Sequence, residues 1–113
     1  MKKRTKMFSL DVIQLVENLP RSKAGDVIGR QLLRCATGVG ANYRAACRGR
    51  SQADFVSKIG VVEEEADESA YWLELLLETA NGDRTKVSTL LKEADELTAI
   101  FTASGRTARQ RTP

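Results

Sequence analysis

Apolar side chains recur along the chain at intervals of four and three residues, and the longest run is Phe55, Ile59, Val62, Ala66, Ser69, Leu73, Leu76 and Ala80. This is the spacing of a helix that buries one stripe against other helices, and it predicts a helix of about 29 residues. Ser51 stands where a hydroxyl can cap the first turn, with Asp54 three residues on as an imperfect capping-box partner. Asn81-Gly82 marks the expected end, because glycine readily takes the left-handed conformation that closes a helix.

The same rhythm appears three more times. Ile28, Leu32, Cys35, Val39, Asn42, Ala46 and Gly49 follow it after Ser22, a cap just beyond Pro20. Phe8, Val12, Leu15 and Leu19 precede it, and Val87, Leu90, Ala94, Leu97 and Phe101 follow, introduced by Asp83. No stretch has the weight of a strand candidate. Four amphipathic helices with short connections predict an all-α fold, an up-down-up-down antiparallel four-helix bundle. The bundle is expected over residues 7–102, between a basic tail at 1–6 and a basic, disordered tail at 103–113.

Length gives this arrangement a gap. The two middle helices should each be roughly 40 Å long, whereas the first, starting near residue 6, is nearer 20 Å. It should therefore leave the far end of the central hairpin, from Gly38 to Ile59, uncovered.

That end contains GVGANYRAACRGRS, residues 38 to 51, which half resembles a phosphate loop. A phosphate loop needs a strand before it and a lysine followed by serine or threonine, and neither is present. The glycines fall instead within a helical period, where each costs about 1 kcal/mol relative to alanine. With Ala36, Ala41, Ala45 and Ala46 they suit close approach by another helix, and with the first helix too short, a second subunit is the expected partner. Gly38, Gly40, Ala41, Asn42, Tyr43, Phe55 and Trp72 are the candidate oligomer interface. Close packing within one bundle is the alternative. Asn42, at a seam position, is read as a buried polar residue that fixes register.

Composition changes the picture mainly through charge. The formal charge is +3, yet Lys2, Lys3, Arg4, Lys6, Arg106, Arg109 and Arg111 place seven positive charges and no acids in the tails. The remaining 11 basic residues face all 15 acids. Residues 21–50 hold seven basic residues against Asp26 alone, and residues 51–102 hold four against 12 acids. Neighbouring segments of opposite sign should pack together, with the arginines of the first mostly facing carboxylates of the second. A strong nucleic-acid groove on the body is not expected from such a balance.

Several chemistries lack their residues. The chain has no histidine, which removes the Glu-x-x-His di-iron motif and any Ser-His or Cys-His pair. Glu63, Glu64, Glu65, Asp67 and Glu68 then read as a solvated helix surface facing arginines. Cys35 and Cys47 lie roughly 18 Å apart along one helix, too far for a bridge and without zinc spacing, a usage that fits a reducing cytosol. No apolar run approaches a membrane span, and the acid-broken N-terminus is no signal segment, so a cytoplasmic protein with no membrane partner is expected. No cofactor, metal site or enzymatic activity is expected. The segment SAYWLELLLE, residues 69–78, is apolar nearly all round, so Tyr71 and Trp72 should meet the fourth helix or another subunit; base stacking is the sharper alternative.

Residues 32–76 resemble the four-helix bundle proteins known as 23S rRNA intervening-sequence proteins. Arg34, Ala41, Asn42, Arg50, Ser51, Asp54 and Phe55 carry the match, with Glu65-Ala66-Asp67-Glu68 and Tyr71-Trp72-Leu73 resembling one branch, and the similarity extends over roughly residues 7–102. Many members have Ala-Glu-Gly after the asparagine where this chain has Arg44-Ala45-Ala46, so a role carried by that glutamate does not transfer. The resemblance implies a small bacterial cytoplasmic bundle that assembles into a ring, a pentamer. It also implies distant kinship with the accessory variability determinant of diversity-generating retroelements, a basic pentameric bundle that works with a reverse transcriptase and nucleic acid. It implies no catalytic residue.

Two functions follow. One is a non-enzymatic oligomeric scaffold that engages RNA or a ribonucleoprotein partner through Lys2, Lys3, Arg4, Arg106, Arg109 and Arg111 in the tails and Arg44, Arg48 and Arg50 at the hairpin tip. Such contacts would be sequence-tolerant and strongly salt-dependent. The other is a protein-interaction bundle in which these arginines are structural.

Overall fold

In the computed structural model, which describes residues 1–111, the chain forms four helices: α1 (Lys2–Glu17), α2 (Lys23–Ala46), α3 (Gln52–Glu78) and α4 (Arg84–Gln110). There is no strand among the described residues. The seam residues become the core: Phe8, Val12, Leu32, Val39, Ile59, Val62, Leu73, Leu76, Val87, Leu97 and Phe101 are all buried. α3 packs on α2 and α4, while α1 lies on α2 and touches α4 more sparingly. The molecule is 50 Å long and about 20 Å across, 22 × 19 Å.

Three starts follow the sequence reading. Ser22 Oγ accepts from the Gly25 amide at 2.9 Å, Ser51 Oγ from Asp54 at 3.1 Å and Asp83 Oδ1 from Lys86 at 3.1 Å. The Asp54 carboxylate bonds the Arg50 amide at 3.2 Å. The end of α3 differs from expectation. It closes at Ala80, whose φ is 55°, with the Asn81 amide donating to Leu76 O at 2.9 Å. Gly82, also at positive φ, serves the following turn, where an added Cβ would lie 2.8 Å from Leu19 Cδ2.

The two tails are the main correction. α1 begins at Lys2 and α4 continues to Gln110, so residues 2–6 and 103–110 are helical. Residues 112 and 113 of the expected C-terminal tail lie outside the described residues. The physical reason is that the four-three seam continues beyond where it was traced: Thr5 is buried in α1, and Gly105 and Ala108 in α4. Burial of those positions against neighbours holds turns that the charged sequence alone would leave open.

The longer α1 also narrows the supposed gap at its Gly38 end. It reaches Gly40, where an added Cβ would lie 3.4 Å from Ser9 Oγ and 3.5 Å from Thr5 O. Gly38 instead faces Glu65 of α3. Both glycines are thus explained by close approach within one chain, and the argument from them for a second subunit falls away.

Candidate nucleic-acid interface

The first two turns of α1 lie across the last turns of α2, and small residues make the crossing close. Ser9 Oγ donates to the Ala36 carbonyl at 2.9 Å, a bond between helices that fixes their separation. On the solvent side of this crossing an open groove of about 610 Å³ is lined by Lys2, Lys3 and Lys6 from α1, by Arg44 from α2 and by Arg48 from the turn that follows α2. Its floor is made of Thr5, Ser9, Gly40 and Ala41. None of the five cations forms an ion pair among the described residues. No acid lines the groove.

The local chemistry runs against stability. The N-terminus of a helix carries partial positive charge, and Lys2 and Lys3 add to it where acids are favoured. α1 has no acid in its first turn and no side-chain cap. Cations kept at that pole are understandable if an anion meets them.

Other basic residues gather at the same end. Gln52 Nε2 donates to the Ala108 carbonyl at 3.0 Å, tying the start of α3 to the end of α4 and bringing Arg106, Arg109 and Arg111 near the α2–α3 connection that carries Arg50. All four of these arginines are exposed. Residues 1–10, 36–58 and 100–111 contain 11 of the 18 basic residues with one acid, Asp54, and the rest of the chain holds the other seven with 14 acids. Basic residues thus predominate where α1 starts, α2 ends, α3 starts and α4 ends, and acids in the remainder, a feature hidden when the tails are set apart from the body.

Arg4 does not belong with the free cations. Its guanidinium donates to both oxygens of Glu93 at 2.7 Å and to Glu96 at 3.1 Å, bracing α1 against α4. That bond holds the Glu93 carboxyl below its ordinary range. The expected pairing of arginines with carboxylates is likewise met by Arg34, which bridges to Glu65 and Glu68 of α3, while Arg44, Arg48 and Arg50 have no such partner among the described residues.

Glu68 is the centre of a compact polar cluster. It accepts from Arg34, from Cys35 Sγ at 2.8 Å and from Trp72 Nε1 at 3.1 Å. The thiol and indole donors, with Arg34, hold its carboxyl low, while burial pushes neighbouring Glu65 up. Burial, helped by Glu68, pushes the Cys35 thiol up to about 12. No group of three His, Cys, Asp or Glu residues suited to a metal occurs among the described residues.

The residues assigned to an oligomer interface have mostly found partners in the chain. Tyr43 packs its ring 5.5 Å from that of Phe101, Phe55 packs on the core, and the Trp72 indole is held by Glu68. Asn42 is half-buried and its Nδ2 donates to Gly38 O of its own helix at 2.8 Å, so it is not a buried seam amide. Ala41 is exposed and borders the basic groove. The large apolar side chains left exposed are elsewhere, with Met7, Leu10 and Ile13 grouped on α1.

The family model for the 23S rRNA-intervening sequence protein matches residues 1–103. The chain belongs to that family. The family match takes in all five groove cations and ends before Arg106, Arg109 and Arg111. A crystal structure of a protein of unknown function from the S23 ribosomal protein family of Bacteroides thetaiotaomicron is similar, with a TM-score of 0.82 and 30% identity over 90% of this chain and 94% of that one. No curated protein matches the sequence. No helix among the described residues is long and apolar enough to cross a membrane.

Proposed function

We propose that this member of the 23S rRNA-intervening sequence protein family is a non-enzymatic cytoplasmic scaffold that associates with RNA, by itself or within a ribonucleoprotein, through its basic end. The observation that carries the reading is the joining of Lys2, Lys3, Lys6, Arg44 and Arg48 in one groove without acids. Phosphates neutralised there release counterions, so binding should be sequence-tolerant and weaken steeply with salt.

The reading includes an up-down-up-down course and assembly into a ring, a pentamer. Contact of Arg4 with Glu93 and of Gln52 with Ala108 supports the alternating course. Met7, Leu10 and Ile13, 47%, 48% and 37% exposed within two turns of α1, support a contact between subunits. Repetition of the basic end around a ring would add avidity to weak phosphate contacts.

The same apolar group favours a second reading, a bundle that binds proteins alone. Light scattering on a sizing column at low salt, with absorbance at 260 and 280 nm and no nuclease during purification, separates the two. A ring-sized mass that carries nucleic acid and sheds it at high salt supports the RNA scaffold. A ring free of nucleic acid supports the protein-only reading, and a monomer contradicts the assembly. Replacing Arg48 and Arg50 by alanine should lower RNA affinity and leave assembly intact; the reverse pattern would make these arginines structural.

A further inference from the structure

We propose that the groove between α1 and α2 takes the phosphate backbone of a double helix, base-paired RNA, and not the splayed bases of a single strand. This rests on the RNA reading above and specifies its ligand.

Proteins that hold single strands join a positive track to aromatic side chains on which bases stack. The chain has six aromatic residues, and none lines this groove. Phe8 and Phe101 are 1% exposed. Tyr43 is packed on Phe101, and the Trp72 ring is fixed by its bond to Glu68. Phe55 packs on the core from α3 and borders a different hollow, between α3 and α4. Tyr71 is 52% exposed, but it projects from the acid-rich part of α3 beside Asp67, Glu74 and Glu78.

Groups that could read base edges are also committed. Thr5 Oγ1 donates to backbone of its own first turn, with the Met1 and Lys2 carbonyls both at 3.1 Å. Ser9 Oγ is taken by Ala36. The groove therefore offers five cations to phosphates and no aromatic face on which a base could stack.

Rigidity points the same way. Lys2, Lys3 and Lys6 stand on α1 and Arg44 on the last turn of α2, with Arg48 in the turn that follows, and the two helices are held together by the Ser9 bond and the buried seam. A double helix brings its phosphates already ordered to such fixed rows. A single strand must be ordered on binding, without stacking to offset that cost.

The test is a titration of the full chain with an RNA duplex and with an unstructured single strand of equal length, each across a range of salt. The duplex should bind about tenfold tighter at moderate salt, and five phosphate contacts predict a slope of log K against log salt near −4 to −5. Replacing Lys3 and Arg44 together by glutamate should abolish the preference while thermal unfolding stays unchanged. A single strand that binds as tightly as the duplex overturns this inference and leaves the RNA reading standing. Binding of neither overturns both.

Discussion

Arg4 and Glu93 meet through two hydrogen bonds of 2.7 Å, from Nε and Nη2 to the two carboxylate oxygens. This paired geometry joins the first turn of α1 to α4, helices that touch little elsewhere. The arginine side chain is 38% exposed and the glutamate 26%, which limits the worth of the pair to about 1 kcal/mol. Glu93→Gln and Arg4→Ala should each lower stability by about that amount, and a double-mutant cycle by chemical denaturation should return a coupling of about 0.5–1 kcal/mol. Additive effects would show that the contact does not brace the helix.

Acid should weaken the fold through Glu68 and Glu93, together with exposed Asp54, whose carboxyl is held low by Lys58 and the Arg50 amide. Glu68 and Glu93 are both held below the ordinary carboxylate range by the hydrogen bonds they accept. A depressed carboxyl contributes stability above its unfolded value, and that contribution is lost as pH falls through the folded value. Glu65, raised by burial, works in the opposite sense and gains as it protonates. Denaturation midpoints should therefore fall below about pH 5, and Glu68→Gln with Glu93→Gln should flatten the decline.

The thiols should differ sharply. Cys47 is exposed, whereas Cys35 is buried and its thiol is pushed up to about 12. One cysteine should react quickly with a thiol reagent near pH 8, Cys47→Ser should remove that phase, and Cys35 should react only on unfolding. Because the thiol is raised in the fold, its stabilising share is complete below the unfolded value of about 8.5 and is lost as pH climbs toward 12.

Ala80 offers a gain. It sits at φ 55° with its side chain exposed, closing α3 in a conformation that costs a non-glycine residue about 1 kcal/mol. Ala80→Gly should raise stability by up to about 1 kcal/mol, read as a higher melting temperature. Gly82→Ala should do the reverse, since its Cβ would collide with Leu19.

Most of the fold was legible because one stripe of residues at four-three spacing decides which face of each helix is buried, and three caps announced their helices. Two kinds of information were not local. Whether Lys2 to Lys6 form a tail or a helical turn depends on Thr5 being buried and on Glu93 lying 89 positions away, and only the seam spacing of Thr5, Gly105 and Ala108 hinted at it. Once the first helix was drawn too short, Gly40 lost its true neighbours, Thr5 and Ser9, and with Gly38, whose neighbour Glu65 lies on α3, it suggested another subunit. The candidate site was visible as its separate cations, Lys2, Lys3, Arg44 and Arg48, but Lys6 was counted only among the charges of the tail and their joining in one groove was not foreseen. At Asn81-Gly82 the glycine does take a positive φ, but the residue that closes α3 in that conformation is Ala80, two positions earlier, because the hydrogen-bonding frame at a helix end is set by where the helix stops.

Binding of RNA at the basic end, as proposed, predicts different behaviour for a matched pair of variants. One replaces Lys2, Lys3, Arg44 and Arg48 by alanine, and the other replaces Arg21, Lys23, Arg84 and Lys86, so net charge falls equally. RNA affinity is then measured against salt. The first variant should bind at least about tenfold more weakly with its salt slope reduced by about four, and the second should match the parent closely. Equal losses in the two variants would mean that net charge alone attracts RNA and would contradict the account.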